Sequence, residues 1–163
     1  MINRIHIHSI FETLLQLPLA AGNNEDTGVW SELEGLPYRK AVDEHLVVYG
    51  TSSDFYDDSD HAAYQQAEKA FRDQFAFAVA ELVEYWHTPD YHTDHLTEAA
   101  WEVHPPGFDH QIYWRGGIAL AYWCKGDRLA YVEVEHQDKE DPFMLIFGVR
   151  LVTDLQTECG EQR

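Results

Sequence analysis

Between residues 59 and 87, Tyr64, Ala67, Phe71, Phe75, Val79, Leu82, Val83 and Trp86 recur at three- and four-residue steps, the period of a helix. Ser59 or Asp60 can cap its start. Thr88-Pro89 stops it, because a residue before proline is pushed out of the helical region. From Phe75 to Val83 only Glu81 interrupts the apolar run, so the second half is apolar nearly all round and is expected to lie between two layers. Near the amino end, Ser9 followed by Glu12 has the form of a capping box. It predicts a shorter helix with Ile10, Phe11, Leu14 and Leu15 on one face, ended by Pro18. Before it, residues 4–8 alternate as a short strand would, with Ile5 and Ile7 inward and His6 and His8 outward.

Residues 21–40 read as loop, punctuated by Gly22, Asn23, Asn24, Gly28, Gly35 and Pro37. The run His45-Leu46-Val47-Val48-Tyr49 predicts an edge strand, and residues 94–103 a short helix stopped by Pro105-Pro106-Gly107. After Gly107 the period changes to two. Residues 111–114, 117–124, 128–136 and 143–152 read as strands joined by Gly116-Gly117, Gly126-Asp127 and the loop at 138–142, links short enough to make antiparallel neighbours. In the last strand Phe143, Leu145, Phe147, Val149 and Leu151 share a face and Arg150 marks the other. Glu133 and Glu135 mark a solvent-facing side of the preceding strand, which leaves Leu129 and Tyr131 as exposed apolar positions there. The expected architecture is α+β: one domain, 1–163, with a long core helix and shorter helices packed on a four- or five-stranded antiparallel meander.

Charge changes the picture more than length does. Twenty-nine acidic residues against eleven basic ones give −18, and no Lys or Arg occurs between Arg4 and Arg39, Lys40 and Lys69, or Arg72 and Arg115. Self-repulsion of this kind costs stability, and a basic partner is one use for the field it creates. The same field disfavours nucleic acid phosphates and anionic lipid. Five Trp, nine Tyr and eight Phe supply the apolar surface that disordered acidic chains lack. No run approaches the roughly 20 apolar residues of a membrane span, and His6, His8, Glu12 and Gln16 break up any signal-like stretch. Cys124 and Cys159 fit no metal or redox spacing, so both are expected reduced and the compartment cytoplasmic.

Catalytic chemistry finds little to stand on. His87, Asp90, His92, Asp94, His95 and Glu98 gather ligand types, and a small metal-dependent enzyme would use His87, His92, His95 and Glu98. The spacing fits no zinc signature, and acidic, His-rich loops are more often solvated surface. Glu84-Tyr85-Trp86-His87 is a single Glu-x-x-His step where di-iron bundles need two, and His6-Ile7-His8 lacks the strand-helix repeats of a barrel hydrolase. Glu81 and Glu84 could form a tuned acid-base pair, although glutamates on a helix's solvent side are commoner. No nucleophile elbow and no phosphate loop is present. No catalytic residue, cofactor or metal is assigned, and the chain is not expected to be an enzyme.

Binding is better supported. Asp54, Phe55, Tyr56, Asp57, Asp58 and Asp60 set four carboxylates around two aromatics where the long helix begins; Asp90-Tyr91, and Glu25-Asp26 with Trp30, repeat the theme. Aromatics anchor interfaces and surrounding charges steer the encounter, whereas helix capping alone would need fewer acids. In size, acidity and lack of catalytic motifs the whole chain resembles the immunity proteins of bacterial toxin systems. That resemblance implies a monomer or small homo-oligomer that inhibits a basic protein, a toxin domain, by placing Asp and Glu where phosphates would sit. An acidic scaffold or oligomerising subunit, using the exposed outer face of the sheet, is the further alternative.

Overall fold

Alternating runs that are apolar on both phases need cover on both sides, and the sheet in this chain is built from such runs. The computed structural model describes residues 6–19, 30–41, 44–55, 61–96 and 115–151. Two helices, α1 (Ile7–Gln16) and α2 (His61–Tyr85), accompany seven strands: β1 (Trp30–Leu33), β2 (Leu36–Ala41), β3 (Glu44–Thr51), β4 (Tyr91–Thr93), β5 (Gly117–Lys125), β6 (Arg128–Glu135) and β7 (Met144–Leu151). They form one antiparallel sheet in the order β1-β2-β3-β7-β6-β5-β4.

The α+β class and the β5-β6-β7 meander are as expected, and the described residues alone hold seven strands where four or five were expected. Residues 30–41, expected as loop, form the β1-β2 hairpin. Its two-residue turn has Glu34 at φ 53 and Gly35 at φ 82, and turns with both central residues at positive φ match the twist of the strands they join. Gly35 and Pro37, taken as loop punctuation, are therefore turn and strand residues. β3 is an interior strand between β2 and β7, not an edge. Tyr91 to Thr93 pair with β5, so a strand stands just before the helix expected from residue 94. The expected strand 111–114, and most of that helix, lie outside the described residues.

The amino end is helical where a strand was expected. Ile7 is buried as the first residue of α1. The Ser9 and Ile10 amides donate to the His6 carbonyl, and His6 is the N-cap without a side-chain cap, so the helix starts before the Ser9-Glu12 box. Its other end is held by Arg128, whose Nη1 donates to the carbonyls of Leu15 and Leu17 at 2.8 and 2.6 Å. A guanidinium there satisfies carbonyls the helix leaves orphaned and complements its dipole.

Both helices lie on one face of the sheet. Phe11, Leu14, Phe75 and Leu82 pack with Trp123, Val132, Phe143 and Phe147, all fully or almost fully buried, and each such side chain is worth roughly 1.5–3 kcal/mol of transfer free energy. The opposite face carries Leu46, Val48, Leu120, Tyr122, Leu129, Tyr131 and Ile146, with Leu96 against them. It is buried too, so the expectation of exposed Leu129 and Tyr131 is corrected, and with it the ground for an oligomerising outer sheet face.

A second correction concerns α2. Phe71, Phe75, Ala78, Val79 and Leu82 face the sheet, but Ala76, Phe77, Ala80 and Val83 on the far side are exposed. The helix meets one layer, not two. Cys124 is disulfide-bonded rather than reduced, which withdraws the thiol argument for the cytoplasm. Among the described residues no helix is long and apolar enough to cross a membrane.

Candidate functional site

Of the residues singled out in the sequence, those described do not form one cluster. Asp54 is exposed, while Phe55 turns inward: its ring meets Tyr64 and Phe143 edge-on at 5.4 and 5.9 Å, and its amide donates to the Glu140 carbonyl. Tyr56, Asp57, Asp58 and Asp60 lie outside the described residues. Asp90 and Tyr91 are absorbed into the sheet edge. Asp90 Oδ2 accepts the Cys124 amide at 2.7 Å, its own amide donates to the Tyr122 carbonyl, and the Tyr91 ring stacks on Tyr122 at 5.2 Å. Of the metal alternative, His87 Nδ1 lies 2.6 Å from the Thr88 carbonyl, His92 Nε2 lies 3.1 Å from Asp94 Oδ1, and the His95 amide donates to Thr93 Oγ1. Glu98 is outside the described residues. Among those described, no three His, Cys, Asp or Glu side chains gather where an ion could sit.

Two arrangements took their place. The first is an ionic network inside the second face of the sheet. Arg115, in the turn before β5, donates from Nη1 to Glu44 Oε1 at 2.7 Å and from Nη2 to Glu133 Oε1 at 3.0 Å. Tyr131 donates to Glu44 Oε2 at 3.0 Å. Tyr131 is on β6 and Glu44 on β3, with β7 between them, and Gly148 makes the crossing possible: a Cβ there would stand 2.1 Å from Tyr131 Cζ. Glu133 has no exposed surface; its Oε2, like Arg115 Nε, has no hydrogen-bond partner among the described residues.

This environment moves the titrations. Burial pushes the Glu133 carboxyl up to about 8, against the pull of Arg115 and with help from Glu135 and Glu44. Burial likewise raises Glu135 and, together with Glu44, holds the Tyr131 phenol well above its usual range. For Arg115 burial acts downward, but Glu133, Tyr131 and Glu44 outweigh it and raise the guanidinium. The network holds a proton near neutral pH and ties β3, β6 and the β5 turn together. Perturbed acids can mark catalysis, yet structural ion-pair networks perturb them equally; here Glu44, Glu133, Glu135 and Tyr131 are all at most 8% exposed. Sequence reasoning placed Glu133 and Glu135 in solvent. Two glutamates in a strand that after Arg128 is otherwise Leu, Ala, Tyr and Val were the available signal.

The second arrangement is on the surface. His6, Phe77, Ala80, Glu81, Glu84 and Tyr85 line an open pocket of about 300 Å³ beside the last turns of α2. Phe77 and Tyr85 are each 55% exposed, and with Val83 they are three of the four large apolar side chains exposed among the described residues. The Tyr85 ring is fixed by stacking on His8 at 4.1 Å, in near-parallel planes. Glu81 Oε1 is buried and has no hydrogen-bond partner among the described residues. Lys69 and Arg72, the bases of α2, are engaged with Asp73 and Glu68 one to two turns earlier. Lys125 lies with its Nζ 4.1 Å from the centre of the Trp86 ring.

Comparison of the chain with family models, with curated proteins and with solved structures finds no match.

Proposed function

We propose that this chain is an acidic protein-binding inhibitor that covers the basic active or substrate-binding site of a partner protein, as an immunity protein covers its toxin. The observation that carries the proposal is the outward side of α2. A folded chain with a core to fill nonetheless leaves Phe77, Val83 and Tyr85 in water, next to Glu81 and Glu84 and in a stretch without Lys or Arg from residue 73 to 114. Exposed apolar surface rimmed by charge of one sign marks a protein interface, the apolar part giving affinity and the charge giving orientation and on-rate. The acidic segment Asp54 to Asp60 precedes the same helix and adds to the steering field. The cytoplasmic placement loses its thiol argument with the Cys124 disulfide, and under this proposal the compartment is the one where the toxin acts.

The test is capture from the source cell at low and then high salt, followed by assay of the retained protein. One basic protein, released by salt and inhibited at equal stoichiometry, is the expected result. Retained proteins whose activities the chain leaves unchanged would overturn it.

A further inference from the structure

We infer that the pocket between His6 and the last turns of α2 is the seat of a cationic side chain, arginine in the first place, presented by the partner protein. The inference rests on the inhibitor proposal for the partner but not for the chemistry of the pocket.

Three features of the lining select the occupant. Glu81 and Glu84 stand three residues apart on one helix, the spacing that puts two side chains side by side, so two carboxylates border the same opening. Phe77 and Tyr85 supply aromatic faces, and Tyr85 is held in place by its stack on His8. A guanidinium can satisfy both kinds of surface at once, because it is planar, lies flat on rings and donates in a fork to carboxylates. An ammonium matches the charge but not the planar geometry, a neutral donor leaves the two carboxylates uncompensated, and an acidic side chain is repelled by them. At about 300 Å³ the pocket is at the small end of ligand sites, a size for one side chain rather than for a cofactor.

The third feature is electrostatic. Among the described residues Glu81 Oε1 has no hydrogen-bond partner and no accessible surface, so its charge adds to the negative potential behind the opening although an arriving donor does not reach that atom. No Lys or Arg lines the pocket among the described residues, so the chain does not fill it from within its own described structure. Charge complementarity thus favours a basic protein over a second copy of this chain, which carries −18 itself.

The full chain, labelled with nitrogen-15, can be titrated at low salt with acetyl-Leu-Arg-Leu-amide and with the same peptide carrying citrulline, which keeps the shape and loses the charge. Saturable shifts centred on Phe77, Ala80, Glu81, Glu84 and Tyr85 are expected with arginine. Citrulline should bind about tenfold more weakly, and so should the arginine peptide to Glu81→Gln with Glu84→Gln, because charge-assisted bonds are roughly twice as strong as neutral ones. Ala80→Trp, which fills the pocket and leaves both charges, should weaken binding as well and serves if the double variant is poorly folded. Equal binding of the two peptides, or no saturable shift at these residues, overturns the inference. If that happens while a basic protein is still inhibited, the inhibitor proposal stands on another surface; if arginine binds and no basic protein is inhibited, only the inhibitor proposal falls.

Discussion

On the face of the sheet that α1 and α2 cover, β6 contributes Ala130, Val132 and Val134; on the opposite face the same strand contributes Leu129, Tyr131, Glu133 and Glu135. Every one of these side chains is buried, yet they are buried under different rules. Apolar packing is non-directional, so a core of Phe, Leu and Val tolerates exchange of one shape for another at modest cost provided that volume is kept. A buried carboxylate is tolerated only with its particular partner, and here the partners come from distant places: Glu44 from β3, Arg115 from the turn before β5, Tyr131 across β7. The first face carries the apolar packing of both helices. The second fixes the register of β3, β7 and β6, since a slip by one residue would turn Tyr131 and Glu133 into the helix-covered core.

The comparison breaks most visibly at Arg115. Removing one member of a buried ion pair leaves the others charged and unpaired, which typically costs 3–5 kcal/mol. Arg115→Met removes the guanidinium from Glu44 and Glu133 at once, but the Arg115 side chain is 31% exposed and Glu133, pushed up to about 8, already holds its proton at pH 7, so water and that proton compensate in part and the cost falls at the low end. A loss of about 3 kcal/mol is expected, read as a lower denaturant midpoint at pH 7. Leu145→Met, a volume-conserving swap on the helix-covered face, should cost less than about 1.5 kcal/mol. Equal effects of the two would mean that the faces do not differ as described.

How much of this was legible in the sequence follows from the same distinction. The helix-covered face could be read: Phe143, Leu145, Phe147 and Val149 repeat at two, Phe71, Phe75, Val79 and Leu82 at three and four, and a period reports which side of an element is apolar. It does not report whether the opposite side meets water. Glu133 and Glu135 were assigned to solvent because charge on alternate positions usually means solvent, and the guanidinium that makes the burial of Glu133 tolerable, Arg115, is 18 positions away and is shared with Glu44, 89 positions from Glu133. Gly148 gave no signal in sequence, since its role is to be crossed by Tyr131. The pocket on α2 was illegible for the converse reason: a segment apolar all round reads as buried, and only the count of layers in the fold leaves Phe77 and Tyr85 outside. Residues 30–41 were missed because Gly35 and Pro37 are turn formers wherever they occur, and here the turn is a hairpin in which Pro37 stands at the start of β2, before its pairing with β3 begins at Tyr38.

A pH titration sharpens the contrast next. A carboxyl whose folded pKa is raised from 4.5 to about 8 binds its proton more tightly in the native state. Its contribution to stability is therefore complete below about 4.5 and is lost as pH rises through about 8, the window being worth at most about 1.4 kcal/mol per pH unit. Glu135, also raised, acts in the same direction. His45 acts in the opposite one: burial lowers its pKa, so it adds stability as pH rises toward 6.5. Between pH 6.5 and 8.5 the unfolding free energy of the wild type should fall, and Glu133→Gln should flatten that fall. A wild-type slope above pH 6.5 that Glu133→Gln leaves unchanged would show that the proton is held elsewhere.

The smallest effect is expected where the same ionic chemistry occurs in water. Lys69 and Asp73 stand one turn apart on α2 with Nζ and Oδ2 2.5 Å from each other, as short a contact as any in the buried network. Their side chains are 76% and 65% exposed, however, and an exposed pair gains little because solvent screens the attraction and both long side chains lose rotamer freedom. Lys69→Met should shift stability by less than about 0.5 kcal/mol at 0.15 M salt. The same substitution chemistry at Arg115, with contacts no shorter, is expected to cost several times more, so the ratio of the two isolates desolvation from distance. A Lys69→Met loss approaching that of Arg115→Met would mean that contact geometry, and not burial, sets the strength of ion pairs in this chain.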